Sequence, residues 1–85
     1  MRILVVDDEP RLLAAVERGL VAEGFAVDTA ATGDLGFWMA TEHPYDAIVL
    51  DIMLPGLNGY EVCRKLREAG VWTPILMLTA KDGEW

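Results

Sequence analysis

Three aspartates have the residue type and the placement for metal or phosphate chemistry. Asp7 and Asp8 directly follow the apolar stretch ILVV, and Asp51 directly follows AIVL. A charge at the end of a buried strand costs free energy unless it is compensated. If the three carboxylates meet, they repel one another and raise a pKa unless a cation neutralises them. The ligand set is entirely oxygen, with no nearby His or Cys pattern, which favours Mg²⁺ or Mn²⁺ over Zn²⁺.

The surrounding sequence predicts the elements that would position these aspartates. Apolar and β-branched residues predict strands at 3–6, 25–30, 47–50 and 75–79, of which 3–6 and 47–50 are continuous apolar runs. Apolar residues at helical spacing, with cap and stop residues, predict helices between Pro10 and Gly24, over 34–42, and between Asn58 and Gly70. The resulting βαβαβαβ order predicts a three-layer α/β fold with a parallel sheet and helices on its faces.

The topology of such a sheet brings the aspartates together. In the doubly wound strand order 2-1-3-4, strands one and three are neighbours, and ligands bind where the winding reverses between them. Because neighbouring strands lie ~4.8 Å apart, Asp7 or Asp8 should lie within a few Å of Asp51. Each aspartate considered alone would more often be a turn residue or a helix cap, and only their combination favours a site.

A hydroxyl group completes the predicted site. Thr79 ends the fourth strand, beside strand three, and Ala80 next to it leaves room. A carboxylate, a hard cation and a hydroxyl donor are the groups that phosphoryl transfer onto a carboxylate requires. The sequence therefore predicts that Asp51 accepts a phosphoryl group.

Length and composition restrict the remaining possibilities. The chain has 85 residues, which we expect to form one domain over 1–85, and its formal net charge is -7. That charge argues against direct nucleic-acid or membrane binding by this segment. Cys63 is the single cysteine, so no internal disulfide can form, which fits a reducing cytoplasm. No apolar run approaches the ~20 residues of a membrane span, and we expect a cytoplasmic protein.

The motifs ILVVDDEP, YDAIVLDIMLPGLNGYEVCRKLR and PILMLTAKD, taken together, resemble the receiver domain of two-component response regulators. The wording LDIMLPGLNG is most similar to regulators whose receiver precedes a winged-helix DNA-binding domain. The resemblance implies a flavodoxin-like fold and phosphorylation of Asp51 by a histidine kinase. It also implies control of transcription through an output domain outside this chain, and a domain that catalyses its own phosphorylation and dephosphorylation without being a stand-alone enzyme.

The same resemblance implies a role for each matched residue. Asp8 would bind Mg²⁺ directly, with Asp7 binding it through water or assisting. Asp51 and the backbone carbonyl of Met53 would complete the protein ligands. Thr79, with Ala80 beside it, would contact the phosphoryl group and move when it arrives.

The family's fourth helix, fifth strand and fifth helix, together with the strand-five lysine that contacts the phosphoryl group, have no counterpart here, so we expect an incomplete receiver. Lys81, two residues past Thr79, is not a convincing substitute for that lysine. The alternative function is therefore an interaction or dimerisation module that cannot be stably phosphorylated. An aspartyl phosphatase is a weaker alternative, since those enzymes resemble D-x-D at the end of the first strand.

The expected layers also predict self-association. Right-handed crossovers place helix one on one face of the sheet and helices two and three on the other. Four strands span roughly 19 Å, whereas one helix covers only ~10–12 Å. The first face is therefore expected to be about half bare, beneath strands three and four, and strand four is expected to be an open edge that invites pairing with another chain.

Overall fold

The computed structural model describes residues 1–78, which form a four-stranded parallel sheet in the order β2-β1-β3-β4. This order and the βαβαβαβ succession confirm the predicted fold. The strands are β1 (Arg2–Val6), β2 (Ala26–Ala30), β3 (Ala47–Asp51) and β4 (Ile75–Leu78), and the helices are α1 (Pro10–Ala22), α2 (Gly33–Glu42) and α3 (Gly59–Glu68). The predicted end of strand four, Thr79, lies outside the described residues, as do Ala80 and Lys81.

Capping side chains determine where the helices begin. The Glu9 carboxylate accepts a hydrogen bond from the Arg11 N–H at 2.7 Å, with Pro10 as the first residue of α1. Asn58 and Glu61 form a reciprocal capping box at α3, with both bonds at 3.0 Å.

Helix α2 begins one residue before the predicted start at Asp34. The Thr32 hydroxyl accepts a hydrogen bond from the Leu35 N–H at 3.1 Å, so Thr32 is the cap and Gly33 is the first helical residue. No helix in the described part of the chain has the length and apolar character to cross a bilayer.

The main core lies between the sheet and helices α2 and α3. In-register pairing aligns Leu4 of β1 with Ile48 of β3, and Val6 with Leu50, on this face. All four are buried, together with Ala30, Ala40, Tyr45, Leu54, Val62 and Leu66. This packed core therefore fixes the carboxyl ends of β1 and β3, where the aspartates lie.

The opposite face is covered less completely. Helix α1 packs on β1 and β2, and Ile3 and Val5 beneath it are buried. Farther along the sheet Val49 is half-buried, and Leu76 of β4 is 62% exposed. Within residues 1–78 the α1 face is therefore partly bare under β3 and β4, as the count of strands and helices predicts.

Candidate functional site

The three aspartates lie together at the carboxyl ends of β1 and β3. Val6 pairs with Leu50 in the strand register, so the residues that follow them, Asp7 and Asp51, are neighbours. One carboxylate oxygen from each of Asp7, Asp8 and Asp51 lies within 4.8 Å of the others. The structure thus brings together the acidic residues that strand order alone predicted to meet.

Asp7 is held at the edge of the core, with 3% of its surface exposed. Its backbone N–H donates to the Ala30 carbonyl at 3.1 Å, and its Oδ1 accepts from the Glu9 N–H at 2.9 Å. Burial raises the pKa of the Asp7 carboxyl, and repulsion from Asp51 and Asp8 raises it further, against the opposing effect of the Glu9 hydrogen bond. The negative charge of Asp7 is therefore disfavoured by its surroundings.

Asp51 is buried as the last residue of β3, with 5% of its surface exposed. Its Oδ1 accepts a hydrogen bond from the Met53 N–H at 3.1 Å, which leaves Oδ2 with no bond among the described residues. Asp8, by contrast, is exposed to solvent. The cluster therefore has two carboxylates anchored at the sheet edge and a third that faces water.

The chemistry of these donors fits a hard divalent cation. Carboxylate oxygens are the ligands that Mg²⁺ prefers, and a bound cation would relieve the repulsion that raises the pKa of Asp7. Met53 contacts the site through its backbone, since its N–H donates to Asp51, while the residue as a whole is 54% exposed. Asp7, Asp8 and Asp51 are the described residues whose carboxylates could together hold such an ion.

An apolar groove adjoins the acidic cluster, a feature that the sequence reasoning missed. Asp8 stands at its acidic side, and Asn58 is its other polar wall. The remaining lining residues are Ile52, Met53, Leu54, Pro55 and Tyr60. The signal that could have indicated this groove is the apolar composition of the segment IMLPG directly after Asp51.

Comparison with known proteins decides the family. The model of the response regulator receiver domain matches residues 3–84. The chain belongs to the response regulator receiver domain family. Transcriptional regulatory protein TcrA of Mycobacterium tuberculosis is 53% identical over 81 residues, which make up 95% of this chain and 32% of TcrA. Transcriptional regulatory protein ResD of Bacillus subtilis is 48% identical over 83 residues, or 98% of this chain and 34% of ResD.

This chain therefore spans about a third of the length of these relatives. The solved structure of response regulator TrrA from Thermotoga maritima, in complex with Mg²⁺-BeF, has the same fold. The two structures superpose with a TM-score of 0.89 at 38% identity. The superposition covers 95% of this chain and 70% of the TrrA chain. The acidic pocket thus belongs to a receiver domain of the type found in transcriptional response regulators.

Proposed function

We propose that this receiver domain accepts a phosphoryl group from a histidine kinase on Asp51, in the cytoplasm and with Mg²⁺ bound. The signal would pass to an output domain that controls transcription. The observation that carries this proposal is the meeting of the Asp7, Asp8 and Asp51 carboxylates within 4.8 Å at the edge of the sheet. The complex of the related TrrA with Mg²⁺-BeF supports the same assignment.

Each residue at the site would have a separate task. Asp8, being exposed, would bind the ion directly, and Asp7 would hold it through water or assist. Asp51 would provide one carboxylate oxygen to the ion, and the Met53 carbonyl would be a further ligand. Thr79, with Ala80 beside it, would contact the phosphoryl group.

The reaction would exchange one bond to phosphorus for another. A carboxylate oxygen of Asp51 forms the new P–O bond while the P–N bond to the kinase histidine breaks, and the electron pair leaves with the imidazole. Mg²⁺, when bound, would neutralise charge on the phosphoryl oxygens. The hydrogen bond from the Met53 N–H to Oδ1 keeps the Asp51 carboxylate in one orientation for this attack.

Mass spectrometry after incubation with acetyl phosphate and Mg²⁺ tests the assignment. We expect one added phosphoryl mass, which Asp51→Asn abolishes. Asp28→Asn is the matched control, because Asp28 lies on β2 in hydrogen-bond contact with Arg2 and Tyr45 and should leave the signal unchanged. An undiminished signal in Asp51→Asn would contradict the proposal.

The absence of signal in every variant would favour a second function, an interaction module that keeps the fold without accepting phosphate. The α1 face, which is partly bare within residues 1–78, supports it, since Leu76 is exposed there and Val49 is half-buried. An apolar patch of this kind is typical of an interface. We propose that a polypeptide of these 85 residues self-associates through this face.

Light scattering at micromolar concentration tests self-association. We expect a dimer or larger assembly that Leu76→Lys weakens. Leu35→Lys is the matched control, because Leu35 is also exposed but lies on α2, on the other side of the sheet. A folded monomer that binds no hydrophobic dye would refute self-association.

A further inference from the structure

The loop that follows Asp51 packs against a glycine, Gly59, at the start of α3. We call residues 52–58 the acceptor loop. The N–H of Gly59 donates to the Ile52 carbonyl at 3.0 Å, which closes the loop onto the start of α3. A Cβ built on Gly59 would lie 2.5 Å from the Asp51 carbonyl oxygen and 2.8 Å from the Ile52 Cα. The helix can approach the backbone of Asp51 this closely because residue 59 has no side chain.

A second glycine seats the other end of the acceptor loop from a different helix. A Cβ on Gly33, the first residue of α2, would overlap the carbonyl oxygen of Leu57 and lie 3.0 Å from Cγ2 of Val62. Positive φ angles among the described glycines occur at Gly24, Gly56 and Gly70. Gly33 is therefore required for space and not for an unusual backbone conformation.

Helix α2 is also packed closely against the sheet. One turn beyond Gly33, a Cβ on Gly36 would lie 2.7 Å from a methyl group of Val6, so α2 already rests directly on β1. Because protein interiors are close-packed and the nearest atom is a backbone carbonyl rather than the end of a flexible side chain, an added methyl group at residue 33 must push the backbone of the acceptor loop at Leu57 and that of α2 apart. The displacement would run back along the loop toward Met53.

We propose that Gly33 is a positioning residue for the metal site, acting through the acceptor loop although it touches none of the three aspartates. The inference rests on the proposed function, because it concerns the ion that the acidic cluster would bind. Leu54, which lies between Leu57 and Met53, is buried in the close-packed core, which transmits a displacement. The Met53 N–H holds the Asp51 carboxylate. A shift of the loop therefore changes the orientation of both Met53 and Asp51.

The affinity of the full chain for Mn²⁺ tests the proposal. It is measured from the paramagnetic resonance signal of the free ion and by competition with Mg²⁺. Residues that orient metal ligands without touching the ion change metal affinity by roughly tenfold or more when they are substituted. We therefore expect Gly33→Ala to bind Mn²⁺ about tenfold more weakly. Gly19→Ala is the matched control, because a Cβ there meets no atom of residues 1–78 within 4 Å. Its affinity should equal that of the unaltered chain.

Loss of stability must be separated from loss of positioning. Tyr45→Phe removes a hydrogen bond to Asp28 on β2, so it reports what mere destabilisation does to Mn²⁺ affinity. If Gly33→Ala folds poorly, it is rebuilt in the Gly19→Ala background, since alanine stabilises a helix interior relative to glycine. A double variant that remains unfolded would overturn the proposal, because Gly33 would then be needed for the fold itself.

The remaining outcomes separate the two proposals. No Mn²⁺ binding by the unaltered chain would contradict the proposed function. Binding by the unaltered chain with equal affinity in Gly33→Ala would overturn the positioning role alone. An equal loss in Gly33→Ala and Tyr45→Phe would overturn it as well, since stability would then explain both.

Discussion

The two ends of the sheet differ in how their charged side chains are arranged. At the carboxyl end, Asp7, Asp8 and Asp51 place like charges within 4.8 Å of one another. Toward the amino end, the Arg2 guanidinium pairs with Asp28 at 3.1 Å, and the Tyr45 hydroxyl donates to the same carboxylate at 2.7 Å. We call the first group the acidic edge and the second the Asp28 network.

The contrast separates what folding favours from what function requires. The Asp28 network pairs opposite charges, and burial with the bond to Asp28 raises the pKa of Tyr45 to about 12. Its tyrosine therefore stays a neutral donor at physiological pH. The acidic edge instead buries carboxylates that repel one another, an arrangement that folding alone disfavours and that a bound cation would reverse. Unpaired buried charge is thus the stronger functional signal of the two.

Breaking the Asp28 network should have the largest effect on stability. Asp28→Ala leaves the buried Tyr45 hydroxyl without its partner, and a hydrogen bond to a charged group is worth about 2 kcal/mol. We expect a loss of that size in the free energy of unfolding, measured by urea denaturation. Tyr45→Phe should cost less, because Arg2 still pairs with Asp28. Equal losses in both variants would argue against a shared network.

Neutralising the acidic edge should have the next largest effect, in the opposite direction. Mg²⁺ at ten times its dissociation constant should stabilise the fold by about 1.4 kcal/mol. Thermal melts with and without millimolar Mg²⁺ measure this shift, which Asp8→Ala should remove. Asp46→Ala is the control, since Asp46 accepts a bond from the Arg2 N–H away from the site. Equal shifts in the unaltered chain and Asp8→Ala would count against the site.

Removing one charge from the acidic edge should give a smaller, pH-dependent gain. The pKa of Asp7 is raised above 3.8 in the folded state, so the unfolded chain releases that proton first as the pH rises. The free energy of unfolding therefore falls as the pH rises from 3.8 through the raised pKa of Asp7. We expect Asp7→Asn to melt higher than the unaltered chain at pH 7 without Mg²⁺, and no such gain at pH 3. Its Oδ1 can still accept from the Glu9 N–H, and a lower melting temperature at pH 7 would contradict the repulsion.

An ion pair that belongs to neither end should give the smallest effect. Arg64 and Glu68 lie one turn apart on α3. A guanidinium nitrogen of Arg64 is 3.2 Å from a carboxylate oxygen of Glu68, and both side chains are largely exposed. Glu68→Gln should cost about 0.3 kcal/mol and less in high salt, by the same urea measurement. A loss as large as that of Asp28→Ala would mean that exposure does not distinguish the two pairs.

Short-range chemistry made much of the fold predictable. The apolar runs before Asp7 and Asp51, and the cap at Asn58, act within a few residues, so the strands and α3 were recognisable from the chain alone. The alternation of elements then required a parallel sheet, and parallel strands end at one edge. The meeting of Asp7 with Asp51 follows from that rule. The roles of Thr79 and Ala80 stay predictions, because both residues lie outside the described part of the chain.

Only the tertiary structure decided which contacts the predicted elements make. The bond from Tyr45 to Asp28 joins residues 17 apart, and Gly33 meets Leu57 across two elements. The local sequence places Gly19 inside a helix and Gly33 near a helix start, but it does not indicate that Gly33 is enclosed while Gly19 meets no described atom. The physical reason is range: strand and helix formation depends on neighbours along the chain, whereas burial, close approach and the repulsion that raises the pKa of Asp7 depend on groups that packing brings together.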